Sequence, residues 1–195
     1  MKIIAFTGKK GSGKTTASNF VRRNYTQTNT LNFKTALIAE MCRNFDKTLR
    51  VISDDMTSIE GEWGDGSEWT VERLFQEKPP IMRALMQNYG TEVRRGDDEN
   101  HWVKKWKNSV LKSNFNVVCD DVRFENEFLA VKDLGGTVVR IIRLNQQNTP
   151  DSHSSELEMD SLIPDHTITV KDGDIDSLEH ELQNILMKEK WSGNL

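Results

Sequence analysis

The chain has 195 residues, 36% of them hydrophobic, a net charge of −4 and two cysteines. That length suits one domain, 1–195, with a sizeable core, and no apolar run approaches membrane-spanning length. The negative balance argues against a stable nucleic-acid partner, which needs a basic footprint, and the local basic clusters (Lys9/Lys10/Lys14, Arg22/Arg23, Arg94/Arg95, Lys104/Lys105/Lys107) point instead to small phosphorylated ligands.

The N-terminus runs straight into Ile3-Ile4-Ala5-Phe6, a strand-like apolar segment with no basic and apolar leader, so the expectation is a cytoplasmic protein without a signal peptide. Cys42 and Cys119 lie in apolar surroundings without metal spacing and read as reduced core thiols. Gly8-Lys9-Lys10-Gly11-Ser12-Gly13-Lys14-Thr15 then fills every fixed position of G-x-x-x-x-G-K-[ST], the phosphate-binding P-loop. Ala17, Phe20 and Val21 give the segment after it a helical apolar face, so the motif joins a strand to a helix, as it must to be meaningful. Glycines keep side chains away while successive amides curl around a phosphate at the helix N-terminus. On this reading Gly8, Lys9, Gly11, Ser12, Gly13, Lys14, Thr15 and Thr16 hold ATP. Lys14 reaches the β/γ-phosphates and the Thr15 hydroxyl holds Mg²⁺.

Thr30 to Phe33 reads as a second strand and Ala36 to Phe45 as a helix. Residues 46–78 are acidic and polar with poor periodicity, and the spacing predicts a loop-rich excursion in which Trp63 and Trp69 serve packing more often than binding. Pro79-Pro80 opens a helix expected over 80–95. Met82, Met86, Tyr89 and Val93 form its core stripe, while Arg83, Gln87, Gly90, Thr91 and Arg94 form a second one. A solvated surface explains such a stripe most simply, but two arginines and an amide also suit a phosphorylated ligand, with Gly90 leaving it room.

Trp102, Val103, Trp106 and Val110 predict a further helix, after Asp97-Asp98-Glu99 at its start. Asn116 to Asp121 is an apolar strand ending in two carboxylates, the pattern of a Walker B element, whose acid sits beside Mg²⁺. Alternation alone does not say whether Asp120 or Asp121 faces the metal; Asp121 is favoured. Arg123 follows at the strand's C-terminal end, where open α/β sheets bind ligands. Phe124, Phe128 and Val131 give the next helix its face, stopped by Gly135-Gly136. Thr137 to Leu144 is a strand whose Arg140 and Arg143 point to opposite sides, with Arg143 nearer the ligand edge. Residues 145–165 read as a lid-like loop, Asp165 to Val170 as a last strand, and Leu178, Leu182, Ile185 and Leu186 as the face of a closing helix. The alternation of strands and helices implies a P-loop α/β fold, a parallel sheet with helices on both faces. No N-K-x-D motif for reading guanine is present, so a small-molecule kinase fits better than a nucleotide switch.

The segments RALMQNYGTEVRR (83–95), HWVKKW (101–106), VVCDDVRFENEF (117–128) and HSSE (153–156) resemble, in order, those of the bacteriophage-type deoxynucleoside monophosphate kinases. The pieces that carry the resemblance are Leu85-Met86-Gln87, Gly90-Thr91-Glu92, Arg94 or Arg95, Asp121-Val122-Arg123-Phe124 with Glu127, Gly135-Gly136, Ile142-Arg143-Leu144, and His153 with Ser155-Glu156. The resemblance implies transfer of the γ-phosphoryl of ATP to a deoxynucleoside 5′-monophosphate. It assigns donor phosphates to Lys14, the metal to Thr15 and Asp121, and transition-state charge to Arg123 and Arg143. Acceptor contacts fall to Lys10, Arg83, Gln87 and Arg94, with Asp121 nearby and Trp102 as a stacking surface, although the apolar spacing of Trp102 weighs toward the core. His153 and Glu156 would order the lid. Where the family often carries F-A-x-x-L-K, this chain has Phe33-Lys34-Thr35-Ala36-Leu37-Ile38, so Lys34 is the available substitute. Residues 144–165 contain no Arg or Lys, so an arginine-rich lid is not expected. Two other readings stay open: a different small-molecule P-loop kinase, such as one resembling dephospho-coenzyme A kinase, and an ATP-binding regulator without turnover. An apolar helix face could also support a homodimer.

Overall fold

A computed structural model describes residues 1–63, 68–144 and 161–191. The chain divides into two compact units, Met1–Phe33 with Val103–Leu195, and Lys34–Trp102.

The first unit is built on five parallel strands in the order β2-β3-β1-β4-β5. They are β1 (Ile3–Thr7), β2 (Thr28–Thr30), β3 (Asn116–Cys119), β4 (Thr137–Arg143) and β5 (His166–Val170). Two segregated apolar clusters follow from strand alternation. Ile4 and Phe6 of β1, Val118 of β3, and Val139 and Ile141 of β4 face one side. There they pack on α1 (Lys14–Asn24) through Ala17, Phe20 and Val21, and on α8 (Ile175–Lys188) through Leu178, Leu182, Ile185 and Leu186. Ile3, Ala5, Val117, Cys119 and Val138 face the other side, against Trp106 and Val110 of α6 (His101–Leu111) and Ala130 and Val131 of α7 (Glu125–Asp133). Both faces are covered, which is why these strands read as continuous apolar runs. This is the P-loop α/β fold the sequence predicts. Winding reverses at β1, which pairs with β3 on one side and β4 on the other, so a ligand crevice is expected at its C-terminal end.

The second strand is shifted from expectation: β2 covers Thr28–Thr30, and Phe33 already begins α2 (Phe33–Asn44). Two side-chain contacts draw the chain out of the sheet there, Asn32 bonding to Asp120 and the Phe33 amide donating to Asp121.

In the second unit the expected loop-rich excursion over 46–78 is instead largely helical, with α3 (Asp46–Trp63) and α4 (Val71–Glu77). Leu49, Ile52 and Met56 supply a narrow apolar face interrupted by polar residues, which blurs its periodicity. Ser53, within that face, is buried because its hydroxyl donates to the Trp69 carbonyl. Trp69 is a core residue with the Arg73 guanidinium 4.3 Å over its ring, so it serves packing. The Trp63 side chain and residues 64–67 lie outside the described residues, as do 145–160 of the lid-like loop with His153 and Glu156. The helix expected over 80–95 is two elements, α5 (Pro80–Gln87) and a π-helical segment, Asn88–Arg95. No described helix is long and apolar enough to cross a membrane.

Candidate active site

β1 delivers the chain into a loop whose glycines take conformations other residues avoid. Gly8, Gly11 and Gly13 have φ of 139°, 78° and 107°. At Gly8 the packing is tighter still: a Cβ would stand 2.4 Å from the Ile141 carbonyl oxygen and 2.8 Å from Ser12 Oγ. Gly8→Ala should therefore cost roughly 2–4 kcal/mol from backbone strain and overpacking together. Urea denaturation measures that cost, and nucleotide binding should fall with it. Gly13 precedes α1 without side-chain capping, and no acid occupies the first turn. The helix thus presents uncapped amides and a positive dipole end to an anion. The Ser12 hydroxyl is buried in the same loop and has no hydrogen-bond partner among the described residues. A buried hydroxyl left unmatched is costly, and a phosphate oxygen is the partner this cradle fits. Lys14 Nζ donates to the carbonyls of Gly8 (2.6 Å) and Lys9 (2.7 Å), folded over the loop. Lys10 is exposed at the crown, Thr15 is exposed and Thr16 half-buried.

The carboxylate beside Thr15 is Asp120, not the favoured Asp121. Thr15 Oγ1 lies 3.2 Å from Asp120 Oδ2. Asn32 holds the other edge of the same residue, its Nδ2 donating to Oδ1 (2.7 Å) and its Oδ1 accepting from the Asp120 amide (2.9 Å). Strand parity is the cause. Asp120 shares the side of Val118, which α1 covers, whereas Asp121 shares the side of Cys119. Asp121 Oδ1 accepts instead from the Phe33 amide (3.0 Å), at the positive end of α2, and from Cys119 Sγ. Burial first, and then the Asp121 charge, push the Cys119 thiol well above its ordinary pKa, so it remains a protonated donor. The Thr15–Asp120 pair is a hard-oxygen donor set of the kind Mg²⁺ accepts. Among the described residues no group of three or more His, Cys, Asp or Glu is placed to hold a metal.

Arg123 is exposed, but its backbone is fixed: the buried Glu127 accepts from the amides of Arg123 (2.9 Å) and Phe124 (3.3 Å). Arg143 reaches the P-loop from the C-terminal end of β4. It donates to the Gly11 carbonyl (3.0 Å) and pairs with Asp172. It thereby forms one wall of a cavity of about 180 Å³ beside the P-loop, with Gly13, Val170, Gly173 and Leu178. A larger open groove of about 540 Å³ runs along α1 by Asn19, Arg22 and Arg23. It offers no glycine cradle, and Arg23 is committed there to Glu179, whereas the smaller cavity adjoins the P-loop glycines.

The second unit holds the remaining candidates. Arg83 and Gln87 are exposed on α5, and Lys34 is half-buried. The π-turn breaks the two stripes that a continuous α-helix would carry: Met82 and Tyr89 are buried, while Val93 is 40% exposed. Gly90 gives room not to a ligand but to the core, since a Cβ there would meet Leu37 at 3.2 Å and its carbonyl accepts from the Trp102 indole (2.9 Å). Trp102 is 3% exposed, so it packs the core and offers no stacking surface. Arg94 Nε approaches Glu40 Oε1 (2.6 Å) and the Tyr89 hydroxyl (2.9 Å). The Tyr89 hydrogen bond first, and the Glu40 charge after desolvation is set against it, raise the Arg94 pKa above its ordinary value. Asn32, Glu40, Tyr89 and Glu127 carry no site role in the sequence reading. Only Glu127 left a signal there, as the acid of the strand–helix junction motif.

Residues 33–182 match the family model described as deoxynucleotide monophosphate kinase. A protein of Acanthamoeba polyphaga mimivirus, whose name marks it provisionally as a deoxynucleotide monophosphate kinase, is 30% identical over 175 residues, covering 83% of this chain and 84% of the relative. The deoxynucleotide monophosphate kinase of Enterobacteria phage T4 is 27% identical over 141 residues, covering 69% of this chain and 50% of the relative. Among solved structures, dephospho-CoA kinase from Campylobacter jejuni aligns over 97% of this chain and 98% of its own at 12% identity and a TM-score of 0.46, too distant to bear on substrate.

Proposed function

The chain belongs to the deoxynucleotide monophosphate kinase family and is a phosphotransferase, and we propose that it transfers the γ-phosphoryl of ATP to a deoxynucleoside 5′-monophosphate, giving the diphosphate and ADP. The observation that carries the reading is the P-loop cradle, where the unmatched Ser12 hydroxyl, the uncapped α1 terminus and Lys14 converge. Membership of a kinase family speaks against the regulator without turnover.

In the proposed reaction an oxygen of the acceptor phosphate attacks the γ-phosphorus, and the bond to the β–γ bridging oxygen breaks with its electron pair leaving on ADP. The attacking oxygen is already ionised, so no general base is required, and positioning with charge stabilisation supplies the catalysis. Lys14 exchanges its loop carbonyls for β/γ oxygens. The Ser12 hydroxyl and the loop amides bind the β-phosphate, and Arg123, on a backbone pinned by Glu127, meets the charge that develops on the transferring group. Thr15 and Asp120 would hold Mg²⁺, which when bound neutralises charge on the β and γ oxygens. Arg143 is reassigned to the donor nucleoside, as the wall of the adjoining cavity. Arg83, Gln87 and Arg94 are assigned to the acceptor with Lys10 and Lys34, and Trp102 and Asp121 drop out as ligands. Such a kinase is assigned to the cytoplasm, that of the host where the chain is phage-encoded, because both nucleotides are found there.

ADP formation, measured with each deoxynucleoside and ribonucleoside monophosphate in turn, tests the reading. Strong stimulation by one or more deoxynucleotides is the expected outcome; a flat panel with intact ATP binding overturns it.

A further inference from the structure

One buried carboxylate in the second unit has more partners than packing requires. Glu40 is 5% exposed, and Tyr89, Arg94 and His101 converge on it. Tyr89 donates its hydroxyl to Oε1 (2.8 Å), Arg94 Nε lies 2.6 Å from the same oxygen, and His101 Nε2 lies 3.2 Å from Oε2. Asn44 Nδ2 donates in turn to the Tyr89 oxygen (2.9 Å). The guanidinium of Arg94 also rests 5.1 Å from the Tyr89 ring centroid.

The π-helical segment makes this possible. In an α-helix a turn takes roughly 3.6 residues, so side chains five apart lie on different faces. A π-turn closes on the fifth residue and stacks them. Asn88–Arg95 is π-helical throughout, and Tyr89 and Arg94 are five apart. Its consequence is an arginine tethered at Nε, the base of its fork. Both contacts are made by Nε, and the side chain keeps 31% of its exposure. A guanidinium held at Nε by a buried carboxylate, on a side chain still 31% exposed, can turn its Nη edge to an oxyanion as a bidentate receptor.

We infer that Glu40 is a positioning residue for substrate phosphate, fixing Arg94 through Nε, with Tyr89 as a second anchor, so that the Nη edge receives the phosphate of the acceptor monophosphate. The inference rests on the assignment of Arg94 to the acceptor. It gives the π-turn a task and separates the arginines of this region: Arg94 is held in one orientation, while Arg83 is exposed on α5.

Calorimetric binding of deoxynucleoside monophosphates without ATP tests it, with the phosphate-free deoxynucleosides as controls. Glu40→Gln should weaken monophosphate binding about tenfold, the scale of a charge-assisted hydrogen bond. It should leave nucleoside and ATP binding unchanged. Tyr89→Phe should weaken the monophosphates less, in the same direction, and serves if Glu40→Gln does not fold. In an Arg94→Ala background, Glu40→Gln should add no further loss. The inference is overturned if Glu40→Gln weakens nucleoside and monophosphate alike, weakens neither, or adds its full effect to Arg94→Ala. It is also overturned if the unsubstituted protein binds no monophosphate. A protein that binds monophosphates through this device yet forms no ADP would sink the kinase reading and leave Glu40 in its role.

Discussion

Lys14→Ala should fold normally and lose turnover by a factor on the order of 10³, the scale seen when a positioned charge is removed from a transition state. The fold should survive because Lys14 belongs to neither apolar cluster and its ammonium donates to the Gly8 and Lys9 carbonyls of the loop. No apolar packing is lost with that side chain, so the melting temperature should move little. Turnover should fall because the same ammonium is the nearest cation to the phosphate cradle on its own helix, and water cannot replace it without reorganising. Lys14→Arg should rescue poorly, since a planar fork does not occupy the place of a compact ammonium. Steady-state kinetics beside a melting curve checks both. A variant that keeps its turnover would remove Lys14 from the reaction, and one that melts early would overturn the stability argument.

How much of this was legible in the sequence depended on whether the signal was local. The P-loop is a contiguous motif, and its strand and helix flank it, so the fold and the phosphate cradle's glycines followed from one stretch. The parity of the two aspartates was not local. Strand alternation separates Asp120 from Asp121 but cannot say which side α1 covers; that is fixed by Val118 packing with Ala17, Phe20 and Val21. Asn32 was hidden for the same reason. It lies 88 residues from its partner, and in sequence it looked like the middle of a strand. Arg143 was placed on the correct edge of the sheet, yet its direction is decided by Asp172, from the turn after β5.

On the acceptor side the error was one of period. A helix assumed α-helical from 80 to 95 puts Arg94 on the stripe of Arg83 and Gln87, with Gly90 open between them. The π-turn changes the phase at Asn88, buries Gly90 against Leu37 and Trp102, and sends Arg94 over Tyr89. Residue composition does not mark such a turn, because it is held by what surrounds it: the buried Glu40 and the Trp102 indole bond to Gly90. The same holds for α3, whose half-polar face gains its helix from burial of Leu49, Ser53 and Met56 in the second unit rather than from its own periodicity.

Asp120→Asn and Asp121→Asn, one residue apart and chemically identical changes, should behave oppositely. Asp120→Asn should cut turnover by about 10²- to 10³-fold, the loss expected when charge stabilisation of the transferring group fails. It should also raise the Mg²⁺ concentration needed for half-maximal rate. An amide at 120 keeps one oxygen, but Asn32 and Thr15 both donate to the carboxylate now, so the neutral group must turn its NH₂ toward one donor or the other. Asp121→Asn should leave turnover within a few fold, because its oxygen meets the Phe33 amide and Cys119 rather than Thr15. An asparagine oxygen can still accept from that amide, so the expected stability loss is at most about 1 kcal/mol, as for exchange among good helix caps. Mn²⁺ titration of each variant, read by electron spin resonance in the presence of ATP, follows the metal without requiring turnover. Weakened Mn²⁺ retention in Asp120→Asn alone is the expected pattern. The reverse ranking would return the metal to Asp121 and require the strand to present its other face on nucleotide binding.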